Sequence, residues 1–203
     1  SRTYKGVDGY APIFAYLGDE GYLVHAELRE GKQHCQKDTP RFLRESIRYA
    51  KMVTDEGLLV RLDSGNDSLE NIGVCIEEGV DWLIKRNLRR QKETPREGKT
   101  VWRGETHRTV EGFTAPLRVV LLYQDHGTCE QFHSELKTDM DLERLPSEHF
   151  STNATIMTLT LMAYNLLRLC GQESLREDNG NLERRPPQRK KAKRRRLRTV
   201  MQD

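Results

Sequence analysis

The spacing of hydrophobic positions changes several times along the chain, and each change marks an element. Residues 10–18 (YAPIFAYLG) and 21–30 (GYLVHAELRE) are β-rich runs separated by Asp19-Glu20 and bordered by glycine. They predict an antiparallel hairpin, with Pro12 near the start or edge of its strand. Thr39-Pro40 then offers an N-cap and a proline at the first helical position. Phe42, Leu43, Ile47, Ala50 and Val53 form one apolar stripe behind it, predicting a helix to about Glu56 that Gly57 ends. Residues 57–65 (GLLVRLDSG) are an apolar run interrupted only by Arg61, the pattern of an interior strand covered on both faces, with Asp63 at its C-terminal end. A helix over 67–78 and a strand over 80–85 (VDWLIK) complete a strand-helix-strand crossover.

From Arg86 to about Glu111 the chain is charged and loses periodicity, which predicts a loop or the remains of an insertion. APLRVVLLY, 115–123, reads as a strand, and a helix follows from Thr128 to about Asp141. After Pro146, residues 152–171 form a long apolar helix that Gly171 ends, and 174–188 is polar and contains Pro186-Pro187. No internal repeat is visible. The order of strands and helices predicts one α/β domain over 1–171, a linker over 172–188 and a basic tail over 189–203.

The length of 203 residues and mass of 23.6 kDa suit one domain with a tail. Hydrophobic residues make up 35% and charged residues 32%, polar for a globular chain but too apolar for wholesale disorder. No run of eighteen apolar residues occurs and the first ten residues lack an apolar signal-peptide centre, so the expectation is no membrane span, no secretion and a cytoplasmic location. Cysteines at 35, 75, 129 and 170 include no C-x-x-C pair, a reduced intracellular pattern, and the N-x-S/T sequons at Asn66 and Asn153 then have no meaning. Charge is distributed unevenly. Residues 184–203 carry ten Lys and Arg against Asp203 alone, so a chain of net +3 has an acidic body and a strongly basic end, which points to a polyanion partner.

Several signatures fail on spacing. Gly98-Lys99-Thr100 resembles the end of a phosphate-binding loop, but Glu93 stands where that loop needs its first glycine. His126, Cys129 and His133 follow an i, i+3, i+7 pattern that zinc could use only with a fourth ligand from elsewhere. Asp63 and Glu130 are more informative. One terminates a buried-looking strand and the other sits in the first turn of an amphipathic helix, and hard carboxylate oxygens at such places suit magnesium. Glu130 and Lys137, seven residues apart, fall within ~20° of each other on a regular helix, with His133 and Ser134 between them. Glu135 lies about 140° round from Glu130, so these two cannot share one site, and Phe132 and Leu136 point to a core. Residue by residue, Glu130 is equally a helix-start carboxylate favoured by the macrodipole, and Asp63 a turn former.

From Tyr123 the chain reads Tyr, two residues, His126, three residues, Glu130, six residues, Lys137. This resembles the Tyr-Arg-Glu-Lys signature of bacterial insertion-sequence transposases of the DDE type, with His126 in place of Arg. LLVRLDSGN (58–66) resembles the block around that family's second acidic residue, LREGKQH (28–34) its turn between the third strand and first helix, and AYNLLRL (163–169) the helix after the Glu block. The resemblance spans residues 1 to about 200.

The resemblance implies a ribonuclease-H-like α/β fold, a mixed sheet flanked by helices, in a protein that cleaves and rejoins DNA strands with Mg2+ (or Mn2+). It makes Asp63 and Glu130 the second and third metal-binding carboxylates and places Tyr123, His126 and Lys137 near DNA, His126 as a weaker phosphate contact because it is mostly neutral at pH 7. It also implies departures. The family's first Asp, on the first strand, has no counterpart, since Asp8 abuts Gly9 as a turn residue, and only 66 residues separate Asp63 from Glu130. The expectation is therefore a transposase fragment lacking its first strand, internally deleted after about Val120, and poorly folded or catalytically dead. Arg189, Lys190, Lys191, Lys193, Arg194, Arg195 and Arg196 would bind DNA through its backbone, or form only a solvated charged end. Intact relatives suggest a homodimer acting on transposon ends and target DNA near the nucleoid. The rivals are a non-catalytic DNA-binding remnant acting through its basic tail and a structural zinc protein using Cys129 and His133.

Overall fold

The computed structural model describes residues 9–85, 127–175 and 194–202. The loop expected over 86–111, the strand expected over 115–123 and most of the expected linker lie outside the described residues. The chain forms two compact units, one built from Ser1–Lys32 with Thr128–Asp203 and one from Gln33–Gly127.

In the first unit the expected hairpin is present. Strand β1 (Ile13–Leu17) pairs antiparallel with β2 (Tyr22–Glu27), with an irregularity between Ala15 and Tyr16, and a bridge from Tyr10 to Glu30 prolongs the pair. Gly18 and Gly21 bound the turn at φ 72° and 75°, a left-handed region that favours glycine. At Gly21 space adds to conformation, because a Cβ there would fall inside the ring of Phe132.

Helix α3, numbered after the two helices of the second unit, runs Gly127–Ser134. The chain then widens into a π turn over Glu135–Asp139, closed by the Met140 amide donating to the Glu135 carbonyl at 3.0 Å. This corrects the expectation of a regular helix to Asp141. The wider turn accompanies a run of inward side chains. Phe132, Glu135 and Leu136 are buried, Asp139 meets Arg196, and Met140 and Leu142 pack on the unit's core of Leu23, Leu136, Tyr164 and Leu197.

Helix α4 spans Phe150–Glu173. Gly171 does not end it. The residue is buried inside the helix, where a Cβ would stand 3.0 Å from Val200 Cγ2, so glycine is used here for close packing. By length and composition α4 could cross a membrane, although it holds no unbroken run of eighteen apolar residues. Its polar side chains nevertheless have folded partners. Asn165 bonds both the amide and the carbonyl of Leu23, and Arg168 is buried against Glu135 and Tyr164.

In the second unit, helix α1 covers Thr39–Val53. Asp38, at φ 60°, takes the N-cap position expected for Thr39, whose hydroxyl instead donates back to the Cys35 carbonyl at 2.6 Å. The helix stops before Glu56 because Thr54 turns to an extended conformation, and Val53, expected in the stripe, is exposed. Strand β3 (Leu59–Leu62) and β4 (Asp81–Ile84) pair parallel through helix α2 (Leu69–Glu77), confirming the crossover. Leu43, Ile47, Val74, Cys75, Val80 and Trp82 are its core. Coverage of β3 on both faces was overestimated. Leu59 is exposed, and among the described residues β3 has β4 as its one strand neighbour.

Candidate functional site

Asp63 follows the last residue of β3, and the direction of the parallel pair places it at the C-terminal edge of that small sheet, where open α/β sheets present functional groups. The sequence Asp-Ser-Gly-Asn then closes a single 3-10 turn over Ser64–Asn66. Asn66 folds back on Asp63 twice, its amide donating to the Asp63 carbonyl at 3.2 Å and its side-chain Nδ2 to Asp63 Oδ1 at 2.8 Å. Asp63 is exposed, and no cation among the described residues is paired with it.

The turn is itself held from outside. Three successive carbonyls each accept from a different side chain: Gly65 from Cys35 Sγ at 3.4 Å, Asn66 from Asn71 Nδ2 at 2.8 Å, and Asp67 from Gln36 Nε2 at 3.3 Å. Asn71 is fully buried in the first turn of α2, and its own amide donates to the capping Ser68 Oγ at 3.2 Å. A Cβ on Gly65 would stand 3.3 Å from Asp63 Oδ1, so a larger residue there would press on the carboxylate.

Glu130 lies in the first turn of α3 and is exposed, with no hydrogen bond or ion pair among the described residues. Ser134 and Lys137 are exposed as well, but Lys137 lies within the π turn, so the ~20° offset expected of a regular helix does not apply. His133, expected on the same face, is half-buried instead. Its ring packs on Phe14 and Tyr16 at 5.6 and 5.4 Å between centroids, and Tyr16 Oη lies 3.4 Å from its Nδ1. That packing directs His133 to the hairpin. No group of three His, Cys, Asp or Glu side chains converges on one point among the described residues.

Glu135 is turned inward, as its angle from Glu130 implied. It forms a buried ion pair with Arg168, and burial raises its carboxyl above the usual range against the pull of Arg168. Burial also pushes the Tyr16 and Tyr164 hydroxyls up, so neither is an acid for neutral pH.

Tyr123, His126, Arg189, Lys190, Lys191 and Lys193 lie outside the described residues. Arg194, Arg195 and Arg196 each have partners within the first unit. Arg194 stacks over Phe132, 4.4 Å from the ring centroid, and bonds the Asp19 carbonyl and Gln131. Arg195 donates to Ser174 Oγ at 3.0 Å, and Arg196 pairs with Asp139 at 2.9 Å. Leu197, the first residue of the short helix α5 (Leu197–Val200), is fully buried in the core of the first unit. A basic run reads as solvated until Leu197 is given a place to bury. The buttress of Cys35, Gln36, Asn66 and Asn71 was likewise missed, although the dense Asp, Ser, Gly and Asn of LDSGN carry a turn signal.

The donor chemistry of the two carboxylates fits a hard divalent cation. Both offer exposed oxygens free of a competing cation among the described residues, and Asp63 keeps Oδ2 clear of the bond from Asn66. A family model described as a transposase DDE domain matches residues 1–166, and the mixed α/β order of small sheets and helices agrees with the ribonuclease-H-like class of that family. No curated protein and no solved structure matches the chain. With four fifths of its length inside that match, the chain belongs to the transposase DDE domain family.

Proposed function

We propose that Asp63 and Glu130 are the second and third carboxylates of a DDE site, holding Mg2+ (or Mn2+) against the phosphodiester of transposon and target DNA. The observation that carries this reading is the Asp63 turn within the family match: an exposed carboxylate at a strand end, fixed by Asn66 and free of a cationic partner among the described residues. When bound, the ion polarises the phosphate and activates the attacking oxygen. The chain's own residues supply the rest. Asn66 orients Asp63, Lys137 offers an exposed ammonium near Glu130 in sequence, and Tyr123 and His126 contact the DNA strand. Arg189, Lys190, Lys191 and Lys193 contact its backbone, while Arg194, Arg195 and Arg196 anchor the segment to the first unit. DNA transposition, by strand cleavage and strand transfer, is the process served.

DNA affinity measured with Mg2+ and again with EDTA tests the reading. Mg2+ should tighten binding in the parent chain, and Asp63→Ala and Glu130→Ala should each remove that gain while leaving affinity in EDTA unchanged. Equal Mg2+ dependence in all three proteins would contradict it.

A further inference from the structure

We infer that Asn66 is a positioning residue, which aims the Asp63 carboxylate at the cation and acts on the chemistry only through it; this rests on the reading of Asp63 as a metal ligand. A carboxylate on an exposed loop samples several rotamers, and each must be given up when a metal binds. Here that selection is made beforehand. The Asn66 Nδ2 bond at 2.8 Å holds Oδ1, so Oδ2 is the oxygen left to face outward. Asn66 can do this because its own backbone is fixed: the carbonyl is held by fully buried Asn71, and the neighbouring carbonyls of Gly65 and Asp67 by Cys35 and Gln36.

In the Asn66 side chain only the donor is engaged: Nδ2 bonds Asp63 Oδ1, while its own Oδ1 is buried and accepts no hydrogen bond. Leucine has nearly the same shape as asparagine. Asn66→Leu therefore removes the bond to Asp63 and leaves no new buried polar group unpaired.

The test is Mn2+ binding to the full 203-residue chain, followed by electron paramagnetic resonance, with thermal melting measured on every variant. Asp63→Ala should abolish binding at the site. Asn66→Ala and Asn66→Leu should each weaken Mn2+ about tenfold or more, the usual effect of removing a hydrogen bond to a ligating carboxylate, while melting stays at the parent value. Asn66→Gln, which keeps the amide donor, should recover part of the affinity. If Asn66→Ala melts early, the shape-keeping Asn66→Leu decides. Loss of binding in Asp63→Ala together with parent-like Mn2+ affinity in Asn66→Leu would overturn the role of Asn66 and leave the metal site standing. Parent-like binding in Asp63→Ala would overturn the metal reading itself, and the role of Asn66 with it.

Discussion

Glu135 and Arg168 form an ion pair that is almost wholly removed from solvent, with their side chains 5% and 1% exposed. Arg168 spends its other contacts on the same neighbourhood, donating to the Arg195 carbonyl at 2.9 Å and the Tyr164 hydroxyl at 2.9 Å, while Tyr164 donates on to the Gly21 carbonyl at 3.0 Å. One guanidinium thus ties the π turn, helix α4, the hairpin turn and the C-terminal segment together.

Breaking that pair from one side should be expensive. Glu135→Ala leaves Arg168 buried and uncompensated, and should destabilise the first unit by about 3 to 5 kcal/mol in denaturant unfolding. Glu135→Gln should be milder, because burial already disfavours the charged carboxylate. The pH dependence follows from the same direction. The folded carboxyl has its pKa above the ordinary 4.5, so in that window the native state binds more protons than the unfolded state. Stability from this group is full below pH 4.5 and falls as pH rises through the folded pKa. Subtracting the Glu135→Gln unfolding profile from the parent's should expose that fall, and a rise in the same window would reverse the assigned direction.

Gly171 should behave unlike an ordinary helical glycine. Replacing glycine by alanine inside a helix usually stabilises by roughly 1 kcal/mol. Here the new Cβ meets Val200 Cγ2 at 3.0 Å, so the helix gain is offset by displacement of α5. Gly171→Ala alone should gain nothing in melting, whereas Gly171→Ala measured in a Val200→Ala background should recover the gain. Identical effects of Gly171→Ala in both backgrounds would show that α5 does not pack there.

Three of the four cysteines should differ sharply in labelling. Cys75 is fully buried and burial pushes its thiol up to about 11, so it stays protonated and shielded at neutral pH. Cys35 and Cys170 are exposed. Mass spectrometry after brief maleimide treatment of the native chain should find adducts on Cys35 and Cys170 and none on Cys75. Labelling of Cys75 at the rate of Cys35 would mean that the β3–α2–β4 core opens freely.

Local pattern carried most of the fold. The hairpin, α1, the β3–α2–β4 crossover and α4 were all legible, because each places its apolar residues at one period and ends on glycine, proline or a polar turn. What was not legible depends on long-range packing. The π turn follows from inward demands on Glu135, Leu136 and Asp139, and their partners Arg168 and Arg196 lie 33 and 57 residues away. Gly171 reads as a helix stop until Val200 is known to press on it. The site divides in the same way. Of the proposed site, Asp63 and Glu130 stand out by chemistry and by the resemblance, whereas Asn66 shows only as a sequon and as the end of the LLVRLDSGN block, because spacing alone does not reveal its hydrogen bond to Asp63.

The proposal on which the account depends is that Asp63 and Glu130 are both ligands of a divalent cation. Fe2+ substituted for Mg2+, with ascorbate and peroxide, cuts the polypeptide beside the residues that bind it. The account predicts cuts near residue 63 and near residue 130 together, both suppressed by excess Mg2+ and both lost in Asp63→Ala. Cutting near residue 130 that persists undiminished in Asp63→Ala would contradict it.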